Sequence, residues 1–372
     1  MAQPWIRSAS FDGLFILSPA LLSVVWVLFH QIHAGAGVAG VESAAAGQQI
    51  SVWGWLALVV AVDVSHVYST FYRTYLDPVE FKKRHTLYTL APLVCWVFGI
   101  LLYSFGSLTF WRFLAYLAVF HFIRQQYGFL ALYSRKDELP LRSRWSRSID
   151  VATIYSATLY PLIHWHLHLP RNFQWFVAGD FLSLPVFLGL SASQSEIFSQ
   201  FAGMSYLGIL TLYGAKELHE SLLQRKFNLP KNLLVTGTAL SWYLGIVRFN
   251  GDLAFTVTNV ISHGIPYLAL IWIHGRKQAS HRAIYSRRAL PLFLGALFLV
   301  AYLEEGLWDS LIWRDHSGVF TWFSKLPHLV DETTLMWVVP LLALPQFTHY
   351  VLDGFIWRVR GKEPLFSQET GS

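Results

Sequence analysis

The chain has 372 residues, of which 54% are hydrophobic and 13% charged, with 16 Trp, 17 Tyr and 28 Phe. A soluble domain carries about 25% charged residues, so this composition excludes a soluble globular enzyme and points to a membrane protein. A net charge of +6 and a pI near 9.3 do not signal nucleic-acid binding, because the basic residues sit in short loops rather than on one face.

Cys95 is the single cysteine. It excludes an intramolecular disulfide and any CxxC motif, so a metal has to be held by His, carboxylate or amide groups.

A membrane-spanning helix needs about 20 apolar residues. From the N-terminus, the first such segment is 11–32. A signal peptide is the alternative there, because small residues follow in "AGAGVAGVESAAAG". The apolar core is too long for that and only Arg7 precedes it, so it reads as a retained helix. Further spans are expected at 52–76, 86–106, 110–133 and 150–169. The next segment, 173–190, is interrupted by Asp180 and Pro185 and is expected to be re-entrant or interfacial. Spans at 199–222, 231–249, 252–275 and 289–308 follow. Loop 309–335, with Asp315, Trp322, Asp331 and Glu332, is expected to form a small external cap before a last span at 336–357.

Short basic loops stay on the cytoplasmic side. Lys82, Lys83 and Arg84 lie in one. Arg135, Lys136, Arg142, Arg144 and Arg147 lie in a second, and Arg225, Lys226 and Lys231 in a third. Arg276, Lys277, Arg282, Arg287 and Arg288 form a fourth, with Arg358, Arg360 and Lys362 in the tail. All fall on one side if 173–190 does not cross. The expected fold is therefore all-α: a polytopic helical bundle of about ten transmembrane helices with both termini cytoplasmic. It reads as a single transmembrane domain over 1–372, located in a bacterial plasma membrane.

Four histidines stand out against this frame: His66 in "DVSHVYSTFYR", His121 in "VFHFIRQQYGF", His263 in "NVISHGIPYLALIW" and His349 in "PQFTHYVLDGFIWR". Each lies about 11 to 14 residues from the outer end of a helix that runs inward, or roughly 16 to 21 Å down a core of about 30 Å. One such histidine is as readily a packed side chain as a ligand. Four at one depth point to a shared site, since ionisable residues inside a membrane face the bundle interior and mark function.

Helical neighbours three or four residues away share each histidine's face. Asp63 precedes His66, Arg124 and Gln125 follow His121, Asn259 precedes His263, and Asp353 follows His349. A metal-bound imidazole donates its second N–H to such groups. Asp63 and Asp353 either orient the imidazoles or complete the ligand set, which then admits one or two ions. "LIHWHLHLP" cannot bring His164, His166 and His168 to one helical face and reads as an interfacial end. Glu217, His219 and Glu220 in "AKELHES" read as a solvated helix end, with a second acidic ligand set as the alternative. Arg73 and Arg124 lie on the cytoplasmic side of the histidine layer. Arg124, Gln125, Gln126 and Tyr127 extend a polar face suited to positioning a substrate.

Nitrogen ligands with oxygen neighbours suit iron, zinc or copper, and Fe(II) when the chemistry is oxidation. The aromatic residues Tyr68, Phe71, Tyr72, Phe120, Phe122, Tyr267 and Phe347 are expected to line an apolar slot. The expected partners are membrane lipids, a hydrophobic small molecule entering sideways and an electron donor, with no nucleic acid. Fatty-acid desaturases and hydroxylases use HxxxH and HxxHH clusters near the cytoplasmic face; here the one HxxxH spacing, His164 to His168, lies at the expected outer end of a helix and no HxxHH occurs, which disfavours that superfamily.

Single histidines spread over several helices, together with "FHFIRQQYGF", resemble the Brp/Blh family of membrane carotenoid dioxygenases. The resemblance implies histidine-bound iron in a membrane bundle and oxygenation of an isoprenoid. That family's HGxxDH-type element is missing, with "DVSHVYS" as a degenerate counterpart, so retinal formation is not implied. A haem held by pairs of these histidines, a transporter using Asp63, Asp353 and Arg124, and a non-redox acid–base enzyme are the rival readings.

Overall fold

The computed structural model describes residues 3–36, 50–135, 144–224, 227–277 and 285–357. The stretch 37–49 lies outside them. So do the basic residues Lys136, Arg142, Arg225, Lys226, Arg282, Arg358, Arg360 and Lys362. Among the described residues there is no strand.

The principal helices are α1 (Ala9–Ile32), α2 (Val52–Arg73), α3 (His85–Ser104), α4 (Ser107–Arg135), α5 (Arg144–Leu167), α6 (Ala192–Gln224), α7 (Leu229–Trp242), α8 (Asp252–Lys277), α9 (Leu290–Trp313), α10 (Glu332–Leu342) and α11 (Leu344–Ile356). Five of them, α1, α2, α3, α8 and α9, are long and apolar enough to cross a membrane, and the pair α10–α11 makes a sixth if counted as one span. Their outward side chains are the large apolar residues that water would reject, including Leu22, Val25 and Phe29 on α1 and Leu93, Val94 and Val97 on α3. This is the surface of an integral membrane protein.

Contacts divide the described residues into two compact units, the first drawn from the stretch before residue 37 and from 122–263, the second from 50–121 and from 264 onwards. The chain changes unit inside α4, after His121, and inside α8, after His263.

In the first unit, α5 packs along α6 and α7, and α7 packs along α1. Segment 173–190 makes only a short helix, Leu184–Leu188, ended by Gly189 at φ 63°. Before it, the buried Asp180 carboxylate accepts backbone N–H groups of Trp175, Phe176 and Val177 at 2.7 to 3.2 Å. Burial nevertheless holds this carboxyl above the ordinary range.

The "AKELHES" expectation needs correction. Glu217 is buried, bound by Lys216 and Lys231, and accepts Asn232 Nδ2 at 2.6 Å. Asp150 pairs with Lys216 and lies 3.7 Å from Lys231. The cations neutralise the carboxylates from a different helix and from the next residue, so Glu217 is neither a ligand nor a solvated end. His164 and His168 stack at 3.9 Å, while His166 Nδ1 donates to the Leu162 carbonyl and its ring packs on Phe181.

In the second unit, α9 and α11 both pack on α2, and α3 packs on α10 and α11. Residues Leu56–Val64 of α2 are wound as π-helix, and Ser65 Oγ donates to the Val60 carbonyl five residues back. Such wide turns rotate the following side chains relative to a regular α-helix. Here those side chains begin with His66. α8 crosses α2 closely at Gly264, where a Cβ would stand 2.6 Å from Val62 Cγ1.

α10 and α11 meet at 44°. Pro345 has no N–H for the carbonyl four residues back, so the hydrogen-bond ladder cannot cross Ala343 unbroken. The loop after α9 is tied back to that helix: Tyr302 Oη donates to the Val319 carbonyl at 2.8 Å and Asp309 Oδ1 accepts His316 N at 2.5 Å.

Candidate metal centre

His66, His121 and His349 come from α2, α4 and α11 and are 1%, 5% and 1% exposed. Within the second unit their ring centroids lie 4.6 Å (His121–His349), 5.0 Å (His66–His349) and 6.4 Å (His66–His121) apart. One ring nitrogen from each lies within 4.8 Å of one from the others. Three of the four candidate histidines are thus brought together, and this buried cluster can hold a metal ion; His263 belongs to the first unit. No family model, curated protein or solved structure matches the chain.

A chain of hydrogen bonds sets which nitrogens face inward. Tyr267 Oη donates to Asp353 Oδ1 at 2.6 Å, which uses its one proton. Thr70 Oγ1, 2.9 Å from Tyr267 Oη, therefore donates to it. The same Thr70 oxygen lies 2.7 Å from His349 Nδ1 and must accept from it. His349 is consequently the Nδ1–H tautomer with a bare Nε2. His121 Nδ1 lies 3.4 Å from Asp353 Oδ2. His121 Nε2 lies 3.2 Å from His349 Nε2, within hydrogen-bond distance of that nitrogen.

Two neighbouring nitrogens on one ion, each at about 2.0–2.1 Å, stand about 2.9–3.4 Å apart for angles between square and tetrahedral. The observed separation falls in that window. Axial ligands of a haem stand on opposite sides of the iron, about 4 Å apart, with a macrocycle between them, and the pair is too close for that.

The remaining candidates take different places. Asp353 stands at the base of the donor chain, 3.9 Å from His349 Nδ1, where it orients two imidazoles. Asp63 Oδ1 lies 3.5 Å from His66 Nδ1, a similar orienting position. In the first unit, the His263 ring stacks on Phe122 at 3.6 Å, and Gln125 Nε2 donates to the His263 carbonyl at 3.1 Å. Gln125 thus holds backbone. Arg124 is exposed, donates to Tyr155 Oη at 2.9 Å and lies over the Tyr127 ring, so it is not gathered with the histidines.

Thr70, and Tyr267 as a hydrogen-bonding group, were missed by reasoning from sequence. Each follows a cluster histidine by four residues, Thr70 after His66 and Tyr267 after His263. That is the spacing that singled out Asp353. Groups that orient metal-bound histidines contribute about 10- to 100-fold in metal affinity. Thr70→Val and Tyr267→Phe are each expected to weaken metal binding by that order, measured by competition with a chelator, and Thr70→Ser to restore most of it.

Proposed function

We propose that the chain is a membrane-embedded, metal-dependent oxidoreductase that uses O2 on a lipid or isoprenoid substrate. His66, His121, His263 and His349 hold iron, and Asp63 and Asp353 orient the imidazoles. The observation that carries the reading is the buried histidine cluster, in which the Nε2 atoms of His121 and His349 lie 3.2 Å apart at the head of a chain of hydrogen bonds from Asp353. Donor type supports iron, because imidazole with outlying carboxylates suits Fe(II) and leaves coordination positions open. When bound, iron supplies one-electron chemistry towards O2. The chain's own residues fix the imidazole tautomers, bury the centre away from water and bring it within reach of an apolar substrate. The likeness of "FHFIRQQYGF" to the Brp/Blh dioxygenases points the same way.

The test is metal analysis of detergent-purified protein, followed by oxygen uptake with extracted membrane lipids. Iron near one or two ions per chain, a spectrum without a haem band and lipid-dependent oxygen consumption are expected. Metal-free protein that still turns over its substrate would overturn the reading.

The proposal includes ten spans with cytoplasmic termini in a bacterial plasma membrane. Since the native Cys95 is buried, single cysteines can report sidedness. Arg84→Cys and Arg276→Cys are expected to react from one side of sealed vesicles and Lys325→Cys from the other. Reaction of all three from one side would refute this topology.

A further inference from the structure

A cavity of about 280 Å³ lies in the second unit against the face of His349 that carries Thr70. Its walls are mostly hydrocarbon, from Val67, Phe71, Pro92, Leu341 and Leu352. Phe71 and Leu341 are exposed on the apolar outer surface, so the mouth opens towards lipid beside the break between α10 and α11. The inner end is His349 itself.

One polar atom in this wall is unexplained. Thr348 is 7% exposed, and its hydroxyl makes no hydrogen bond beyond a weak contact with the Cys95 thiol. A helical threonine ordinarily bonds back to a carbonyl three or four residues earlier. Thr348 lines the cavity instead. A buried hydroxyl left in a hydrocarbon wall is unfavourable unless a ligand completes it.

We propose that this cavity binds the substrate, a narrow hydrocarbon chain carrying one neutral oxygen function, an alcohol or aldehyde, that hydrogen-bonds Thr348. The volume is just below the roughly 300 Å³ at which ligand pockets usually begin, which suits a slender chain and not a bulky ring system. Among the described residues, the side chains lining the cavity offer no cation to a carboxylate or phosphate head, and the neutral Thr348 hydroxyl matches a neutral oxygen function. Thr348 and His349 both line this cavity, so an oxygen function held by Thr348 lies in the same slot as the imidazole. The assignment of this ligand as substrate rests on the metal-centre reading; occupancy of the cavity does not.

The experiment is photolabelling of the full-length, detergent-solubilised protein with a diazirine-bearing hexadecanol and with the matching hexadecane, before and after metal removal by a chelator. Adducts are mapped by mass spectrometry. Labelling by the alcohol is expected to concentrate on residues 67–75 and 341–352 in both metal states. Leu341→Trp, at the exposed mouth, should lower it at least tenfold. Thr348→Val should lower alcohol labelling roughly three- to tenfold and leave hexadecane labelling unchanged, the effect of one hydrogen bond, and Thr348→Ser should restore it. Adducts spread over the lipid-facing helices and indifferent to Leu341→Trp would overturn the cavity. Equal loss of both probes in Thr348→Val would overturn the oxygen function. Concentrated labelling of a protein that never carries iron would leave the cavity standing and remove the oxygenase reading, whereas iron with diffuse labelling would do the reverse.

Discussion

Replacing His121 or His349 by alanine is expected to strip the bound metal, lowering iron in purified protein more than tenfold. Each change removes one of the two nitrogens that face each other at 3.2 Å and leaves the partner with no second ligand at that spacing. The loss should exceed the about 10- to 100-fold effect of the orienting groups, because a coordinating atom itself is gone. His164→Ala and His168→Ala are the matched controls: they make the same chemical change in a pair that stacks on itself, outside the cluster. Iron retained in both cluster variants would show that the imidazoles meet for packing alone.

The second large effect lies in the first unit. Lys231 is 1% exposed and touches Glu217 and Asp150, two carboxylates that are themselves buried. Lys231→Ala leaves Lys216 to neutralise both. Removing one partner of a buried ion pair costs about 3–5 kcal/mol, because the uncompensated charge stays in a medium of low polarity. At about 1–1.5 °C per kcal/mol for a chain of this length, the unfolding midpoint in detergent is expected to fall by about 3–8 °C. Lys231→Ala with Glu217→Gln should recover part of that loss, since the stranded charge is removed with its partner. An unchanged midpoint for Lys231→Ala would mean that the network does not hold these helices together.

Much of this was legible from residue order, for identifiable reasons. Apolar stretches about 20 residues long leave the backbone only a helix in lipid, and the described chain is helical with five helices, or six with the bent pair, long and apolar enough to cross a membrane. Segment 173–190 broke the pattern with Asp180 and Pro185, and it folds as a loop tied by the Asp180 carboxylate with one short helix. The histidines stood out because an imidazole among aliphatic side chains has to be satisfied internally. Glu217 misled because its neutralising Lys231 sits on another helix, and helical spacing carries no information about partners across a gap.

Sequence by itself therefore determined that this is a helical membrane protein with histidines set among its apolar residues, because burial of hydrocarbon and the expense of buried polarity are written one segment at a time. The convergence of those imidazoles, the Nδ1–H tautomer that Thr70 and Tyr267 impose on His349, and the slot beneath Leu341 were decided by packing. Each depends on angles between helices, the wide turns of α2, the close crossing at Gly264 and the bend before Pro345, and such angles arise only when side chains from distant segments fill the same space.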